Sequence, residues 1–470
     1  MGGFFGVASK HDCVSDIFYG TDYHSHLGTM RGGLAVHDGT RIKRFIHNIT
    51  NAQFRSKFDP DLSQMAGNLG IGIISDFEDQ PLLIGSHLGH YGIVTVGRIN
   101  NSAELIQEAF RSKSAHFAEM GGSEINPTEL TASLISQERS FVRGIQHAQN
   151  RINGSCSMLL MTDEGIFAAR DKFGRTPVVL GRKKGAYAVT METCAFPNLD
   201  YQIDRYLGPG EIVHITPDGC QVVKKPGKTM KICAFLWVYF GFPASSYEGI
   251  NVEACRYRNG ELMAMDDAVE VDIVGGIPDS GTGHAIGYSN QAGIARGRPF
   301  VKYTPTWPRS FMPQNQSVRD LVAKMKLIPI KELIYGKRLL FCDDSIVRGT
   351  QLRDTIRRLY DAGAKEIHIR PACPPLVFGC KFLNFSRSRS ILDLATRRAI
   401  KEIEGKDDKH LEQYSDPDSA QYRRMVETIR KNLNLTTLKF QRLDKLIQAI
   451  GLPKDKICTY CWDCQGDCMQ

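Results

Sequence analysis

The sequence predicts a two-part protein: an α+β half built on large sheets, then an α/β half built on a parallel sheet. Three observations carry this. At 470 residues the chain is longer than one hydrophobic core usually serves. From Phe4 to about residue 232 it runs in short apolar strands separated by glycine turns, with LGIGIIS, GIVTVGRI, SCSMLLMTD, IFAARD and GEIVHI the clearest. Beyond the Gly-, Pro- and Lys-rich stretch PDGCQVVKKPGK, apolar strands alternate with helical segments in the βαβ manner.

Taken in order, the first half (residues 1–230) is expected to carry two helical interruptions, at residues 102–112 and 128–148. The second half (231–455) begins its alternation with VDIVGGI and a helix at 284–292. RLLFCDD and a helix at 350–362 follow, then EIHIRPA. From about residue 391 the chain turns helical and strongly charged, and residues 456–470 form a cysteine-rich tail.

Composition narrows the function classes. No run of about 18 apolar residues suits a membrane span, and no basic segment precedes an apolar leader. MGGFFG also fails as a myristoylation site, because Gly6 stands where Ser or Thr is needed. A cytoplasmic protein is expected. The net charge of +8 reads as solubility and as a surplus suited to anionic phosphate substrates, not as a nucleic-acid footprint. In that compartment the 13 cysteines are expected to be free and mostly buried. The exception is their crowding in CTYCWDCQGDC, where Cys461-x-x-Cys464, extended backwards by Cys458, admits zinc, redox chemistry or no ligand at all.

RLLFCDDSIVRGTQLRD is the most informative stretch. Asp343 and Asp344 fall at the carboxyl end of a buried strand, where ligands of open α/β sheets bind. Ser345, Ile346, Val347, Arg348, Gly349 and Thr350 then form a turn opening a helix, whose N–H groups make an anion seat. Two acids beside a phosphate cradle suit a ribose 5-phosphate, with the acids on the sugar hydroxyls or on Mg²⁺.

That stretch resembles the phosphoribosylpyrophosphate (PRPP) signature of type I phosphoribosyltransferases, most closely the version in the glutamine PRPP amidotransferase family. The likeness runs along nearly the whole chain. It implies that Asp279, Ser280 and Gly281 of GGIPDSGTGHAIGY form a pyrophosphate-side loop. It implies that Lys302, Arg309 and Lys326 face pyrophosphate across a closing loop, and that Ser310 stands near the Mg²⁺ held by Asp343 and Asp344. The loop carries an extra residue and a Pro-Thr-Trp-Pro insert relative to the family. One branch of the family binds a 4Fe-4S cluster through four cysteines. Here Cys233, Cys380, Cys461 and Cys464 match those positions, with zinc as the alternative metal and Cys458 and Cys468 as spares. Around Cys233 the usual charged neighbours are replaced by FLWVYFGFPA.

The first half resembles the family's N-terminal-nucleophile (Ntn) glutaminase domain, a four-layer sandwich, through YGTDYHSHLG, QPLLIG, ARDKFGRTPVV, METCAF and YLGPGEIVHI. The chemistry departs from the pattern. Gly2 occupies the nucleophile position, Val96 the oxyanion asparagine, Ser75 the arginine that holds glutamine, Leu27 a second arginine and Pro127 an acid. Cys13 lies inside the chain without a free amine and is no substitute nucleophile. The expected function is therefore phosphoribosyl transfer from Mg-PRPP to ammonia or another small amine, in purine synthesis, without glutaminase activity. The alternative is a non-catalytic protein that binds PRPP or nucleotide and regulates a partner. The resemblance further implies homo-oligomers and nucleotide effectors.

Overall fold

The computed structural model describes residues 2–76, 78–111, 117–118, 120–121, 124–302, 327–383 and 391–465. Among these, two antiparallel sheets face each other in the first half. The strand Gly3–Ser9 lies inside a seven-stranded sheet, between Ala186–Thr190 and Leu69–Ser75. A six-stranded sheet has Gly154–Met161 between Gly89–Ile99 and Ile166–Ala169. Strand alternation decides which layer each side chain joins. Phe4 and Ala8 point between the sheets, with Ile71, Val94, Leu159 and Met161. Phe5 and Val7 point outward against Ile17 and Phe18 of helix Val14–Asp22. On the far side, Tyr91, Ile93 and Leu160 pack against Leu130, Ile135 and Ile145 of two further helices. The order is helix, sheet, sheet, helix.

Two expectations are corrected here. Helix Val14–Asp22 falls in a segment read as strands and turns, because it is short and carries Gly20. That glycine is needed: a Cβ there would sit 2.5 Å from the ring of Phe5. The single helix expected at 128–148 is two, Pro127–Ile135 and Phe141–Arg151. Asn126 caps the first by accepting from Thr128 N at 2.9 Å. Ser140 caps the second by accepting from Arg143 N at 3.4 Å.

In the second half, strands Ile273–Gly276, Arg338–Asp343, Glu366–Pro371 and Thr437–Leu438 form a wholly parallel sheet. Leu339 and Phe341 face one side, with Ile356, Leu359 and Ala399. Leu340 and Cys342 face the other, against Ala285, Tyr288 and Met263 of helices Gly281–Ala292 and Val252–Met265. Those two helices approach through glycines: a Cβ on Gly260 would lie 2.0 Å from His284 O, and one on Gly287 would lie 1.9 Å from Tyr257 O. Such contact fixes where Gly281–Ala292 starts, which is the loop beside Asp343.

The halves meet at a junction closed by the tail. Strand Ile232–Cys233 pairs in parallel with Ile457–Cys458. Trp462 stacks on Phe235, ring centroids 5.2 Å apart. Arg98 donates to Cys380 O at 2.8 Å, and Asn100 donates to Lys381 O at 2.6 Å. No helix among the described residues is long and apolar enough to cross a membrane.

Candidate functional site

Asp343 ends the strand Arg338–Asp343, whose apolar register buries it on both faces, and Asp344 follows it. Each carboxylate is held from its own side. Asp343 Oδ1 accepts Asp344 N–H at 2.9 Å. Asp344 accepts from Ser280 Oγ and from Ser345 Oγ, both at 2.5 Å. Ser280 comes from the loop between Gly276 and helix Gly281–Ala292, in which the peptide joining Pro278 and Asp279 is cis. Gly281 lets that loop close on the strand end, since a Cβ there would lie 2.3 Å from Cys342 O. The structure thus brings Ser280 and Gly281 to the acid pair, while the exposed Asp279 side chain beside them pairs with Lys302.

Burial raises the proton affinity of both carboxyls, and for Asp343 the charge of Asp344 raises it further. On Asp344 the two serine hydroxyls and the charge of Arg256 work in the opposite direction. Arg256 was not anticipated from the sequence. It sits buried in a helix and donates to Trp237 O, Tyr239 O and Gly241 O at 3.0 to 3.1 Å. A lone arginine in a helical stretch gives no signal that it will reach an acid about ninety residues on.

The turn 345–350 wraps the start of helix Thr350–Asp361. Ile346 is buried beneath it. Val347 O accepts from Ala395 N at 2.7 Å, Arg348 O accepts from the Arg398 guanidinium, and Arg348 donates to Asp393 at 3.3 Å. Gly349 adopts φ +72°, left-handed backbone that favours glycine, as it caps the helix. Carbonyls are tied back by the flanking segment, and the first N–H groups of the helix are those an anion takes. Lys302 forms an ion pair with Asp279, and its strand partner is Leu327. Arg309, Ser310 and Lys326 lie outside the described residues, with the rest of the expected closing loop.

At the amino end, the positions matched to glutamine handling are packed. A Cβ on Gly2 would lie 2.5 Å from Ile74 O, and one on Gly3 would lie 2.5 Å from the His24 ring. Leu27, Ser75 and Val96 are buried, Leu27 and Val96 within the core between the sheets. Pro127 starts a helix. Burial holds the Cys13 thiol far above its usual range, so it is no thiolate at neutral pH.

The cysteines gather at the junction. Cys380 and Cys461 are hydrogen-bonded to each other, and Cys233 and Cys458 are close enough for their charge to be felt at Cys461. The bond from Cys461 draws the Cys380 thiol down to about 7, assisted by N–H donors from Phe382 and Leu383, each 3.4 Å from its sulfur. Cys464 is exposed and lies against the Tyr460 hydroxyl. Among the described residues no three His, Cys, Asp or Glu side chains are grouped to hold a single metal ion. Cys468 lies outside the described residues.

Fold and site together define a class: a glutaminase-like sandwich joined to a phosphoribosyltransferase sheet. A model of the glutamine amidotransferase domain matches residues 68–198. The chain is 32% identical to the chloroplastic amidophosphoribosyltransferase of Glycine max, over 84% of this chain and 69% of that one. It is 28% identical to the amidophosphoribosyltransferase of Methanocaldococcus jannaschii, over 98% and 96%. The solved glutamine PRPP amidotransferase from B. subtilis, complexed with ADP and GMP, superposes with a TM-score of 0.83 at 27% identity, covering 98% of this chain and 96% of that one. The chain belongs to the amidophosphoribosyltransferase family, with that family's Ntn and type I phosphoribosyltransferase folds.

Proposed function

We propose that this chain transfers the phosphoribosyl group of Mg-PRPP to ammonia or another small free amine, as a step of purine synthesis, and does not draw on glutamine. The observation that supports this best is the closure of Ser280 and Gly281 onto Asp344 and Asp343 beside the 345–350 turn. In this reading the turn takes the 5-phosphate and the acid pair takes the ribose hydroxyls. Lys302 and the 279–281 loop face the pyrophosphate. Two adjacent carboxylates at a strand end, each favouring a bound proton or cation, fit Mg²⁺ as a hard ion. When bound, that ion supplies neutralisation of the charge on departing pyrophosphate. As the C1–O bond breaks, positive charge develops on the ring and the amine lone pair forms the C1–N bond. Its surplus proton leaves to solvent. Exclusion of water by the surrounding loops guards against hydrolysis.

The packed amino end supports the loss of glutamine use. Losing an oxyanion donor alone costs about a hundred- to a thousandfold, and here the nucleophile position is also glycine. The tail is read as the seat of a 4Fe-4S cluster with a structural role, held by Cys233, Cys380, Cys461 and one further tail thiol. Soft sulfur donors from three segments, with N–H groups pointing at sulfur, suit that group.

The deciding experiment is pyrophosphate release from Mg-PRPP by anaerobically purified protein. Turnover is expected with ammonium and not with glutamine, and Asp343→Asn with Asp344→Asn is expected to lower it about a hundredfold or more. Turnover with glutamine overturns the reading. PRPP binding without turnover on either nitrogen source supports the second reading, a regulatory partner protein. That reading is favoured by the exposed Tyr239 and Phe242 of the altered junction.

A further inference from the structure

We propose that a cleft at the edge of the seven-stranded sheet binds a free α-amino acid as its zwitterion, apart from the phosphoribosyl site. The cleft has a volume of about 340 Å³ and is lined by Arg31, Arg44, Ile46, Asn48 and Asp79. That is within the size range of small-molecule sites. Arg44, Ile46 and Asn48 alternate along the edge strand Ile42–Asn48, so they share one face. Arg31, on the neighbouring strand Arg31–His37, is the register partner of Asn48. The opposite wall is the segment 79–81, which crosses that face over Gly33: a Cβ there would lie 1.8 Å from Gln80 O. The wall is pinned by its neighbours. Buried Gln80 accepts Thr95 N–H at 2.7 Å and donates to Thr95 O at 3.1 Å, and Asn126 donates to Asp79 O at 3.1 Å. The cleft is therefore formed before a ligand arrives, which lowers the cost of binding.

The charges select the ligand. Arg31 Nε pairs with Asp79 Oδ1 at 2.7 Å. Arg44 donates to Pro81 O at 3.2 Å, and among the described residues its guanidinium meets no carboxylate. Two guanidiniums against one carboxylate leave a surplus positive charge, so the cleft calls for an anionic group. A guanidinium takes a carboxylate through paired N–H donors. Asn48 adds to this: its amide oxygen accepts Thr50 N–H at 2.8 Å, which leaves its NH2 to donate. Asp79 decides between anions. Its side chain is 51% exposed, so it repels a phosphate dianion and can accept an ammonium. A carboxylate on Arg44 and Asn48 with an ammonium on Asp79 is the charge pattern of an α-amino acid, and half-buried Ile46 offers its side chain an apolar floor. Leu27, Ser75, Val96 and Pro127, the filled positions matched to glutamine handling, do not line this cleft.

Titration calorimetry of the full-length protein with L-glutamine, L-asparagine, L-leucine and L-glutamate is expected to show binding of at least one. The matching acids without the amine (glutaramate, succinamate, 4-methylpentanoate and glutarate) and inorganic phosphate are expected to bind about tenfold more weakly or not at all. Arg44→Gln is expected to weaken the amino acid about tenfold or more, and Asp79→Asn to erase its advantage over the acid lacking the amine. A second measurement needs no variant: the bound amino acid is expected to shield Arg44 of the wild type from phenylglyoxal, read by mass spectrometry. Binding of none of the amino acids, tighter binding of phosphate, binding unchanged in Arg44→Gln, an amine preference that survives Asp79→Asn, or Arg44 modified equally with and without the amino acid overturns the proposal. Glutamate release from glutamine is read in the same samples. Its appearance counts against the function proposed above and leaves the cleft, judged by Arg44 and Asp79, standing.

Discussion

Gly2 shows what a single position settles. On the proposed reading the chain has no glutaminase nucleophile, and a thiol at this position is the direct test. Yet Gly2→Cys places a Cβ 2.5 Å from Ile74 O, with Ser75 Cα 3.5 Å away, so the strand edge must shift before the sulfur finds room. The expected outcome is no glutamate release from glutamine, measured at saturating substrate, together with a lowered melting temperature. Gain of hydrolysis refutes the view that the site is filled as well as disarmed. Behind it, His24 makes a pH prediction. Its Nδ1–H donates to Gly20 O at 2.9 Å, while Nε2 accepts from Thr190 Oγ1 and Glu192 N–H at 3.1 and 3.2 Å. A proton on Nε2 has no place, and burial lowers the ring to about 4. The unfolded chain binds that proton from about pH 6.5 downward. Stability is therefore present in full above pH 6.5 and lost as pH falls towards 4, at about 1.4 kcal/mol per pH unit. Urea unfolding of wild type and His24→Gln at pH 7.5, 6 and 5 checks this: the variant starts weaker and loses less between them.

Helices Val252–Met265 and Gly281–Ala292 couple packing to the site. They touch backbone to backbone at Gly260 and Gly287, and the second begins at the loop that seats Ser280 on Asp344. Gly287→Ala is expected to cost about 1–3 kcal/mol by forcing the pair apart. It is also expected to raise the KM for PRPP, because the loop moves with the helix. Denaturant unfolding and pyrophosphate kinetics read the two effects separately, and a destabilised variant with unchanged KM refutes the coupling. Strand Arg338–Asp343 and the turn after it were legible, because an apolar run, two acids and a glycine before a helix each have a local cause. Arg256 and the pairing of Cys458 with Cys233 were not. Their meaning comes from partners 88 and 225 residues away, which no local pattern records. Helix Val14–Asp22 was missed for the same reason, since Gly20 looks like a breaker until Phe5 packs over it.

For the whole molecule, the decisive feature is that the core does not stop at the boundary between the halves. Residues between the two sheets, such as Phe4 and Leu159, belong to the same apolar cluster as Trp237 and Val252 at the junction and Ile457, Tyr460 and Trp462 of the tail. Arg98 and Asn100, on the strand that carries Val96, add hydrogen bonds to the segment bearing Cys380. A strand matched to glutamine chemistry thus serves here to hold the cysteine segment. The two halves are then expected to melt as one unit, with the tail as the fastening. Trp462→Ala removes a side chain only 2% exposed, stacked on Phe235. Its cost is expected at about 3–5 kcal/mol, a large part of a typical domain's total stability. If the junction joins the halves, calorimetry of this variant shows a single transition moved to lower temperature. If the halves are independent, the trace splits, with the glutaminase-like half keeping its wild-type melting point. That split overturns the view that the amino-terminal sandwich is retained because the transferase half is built against it.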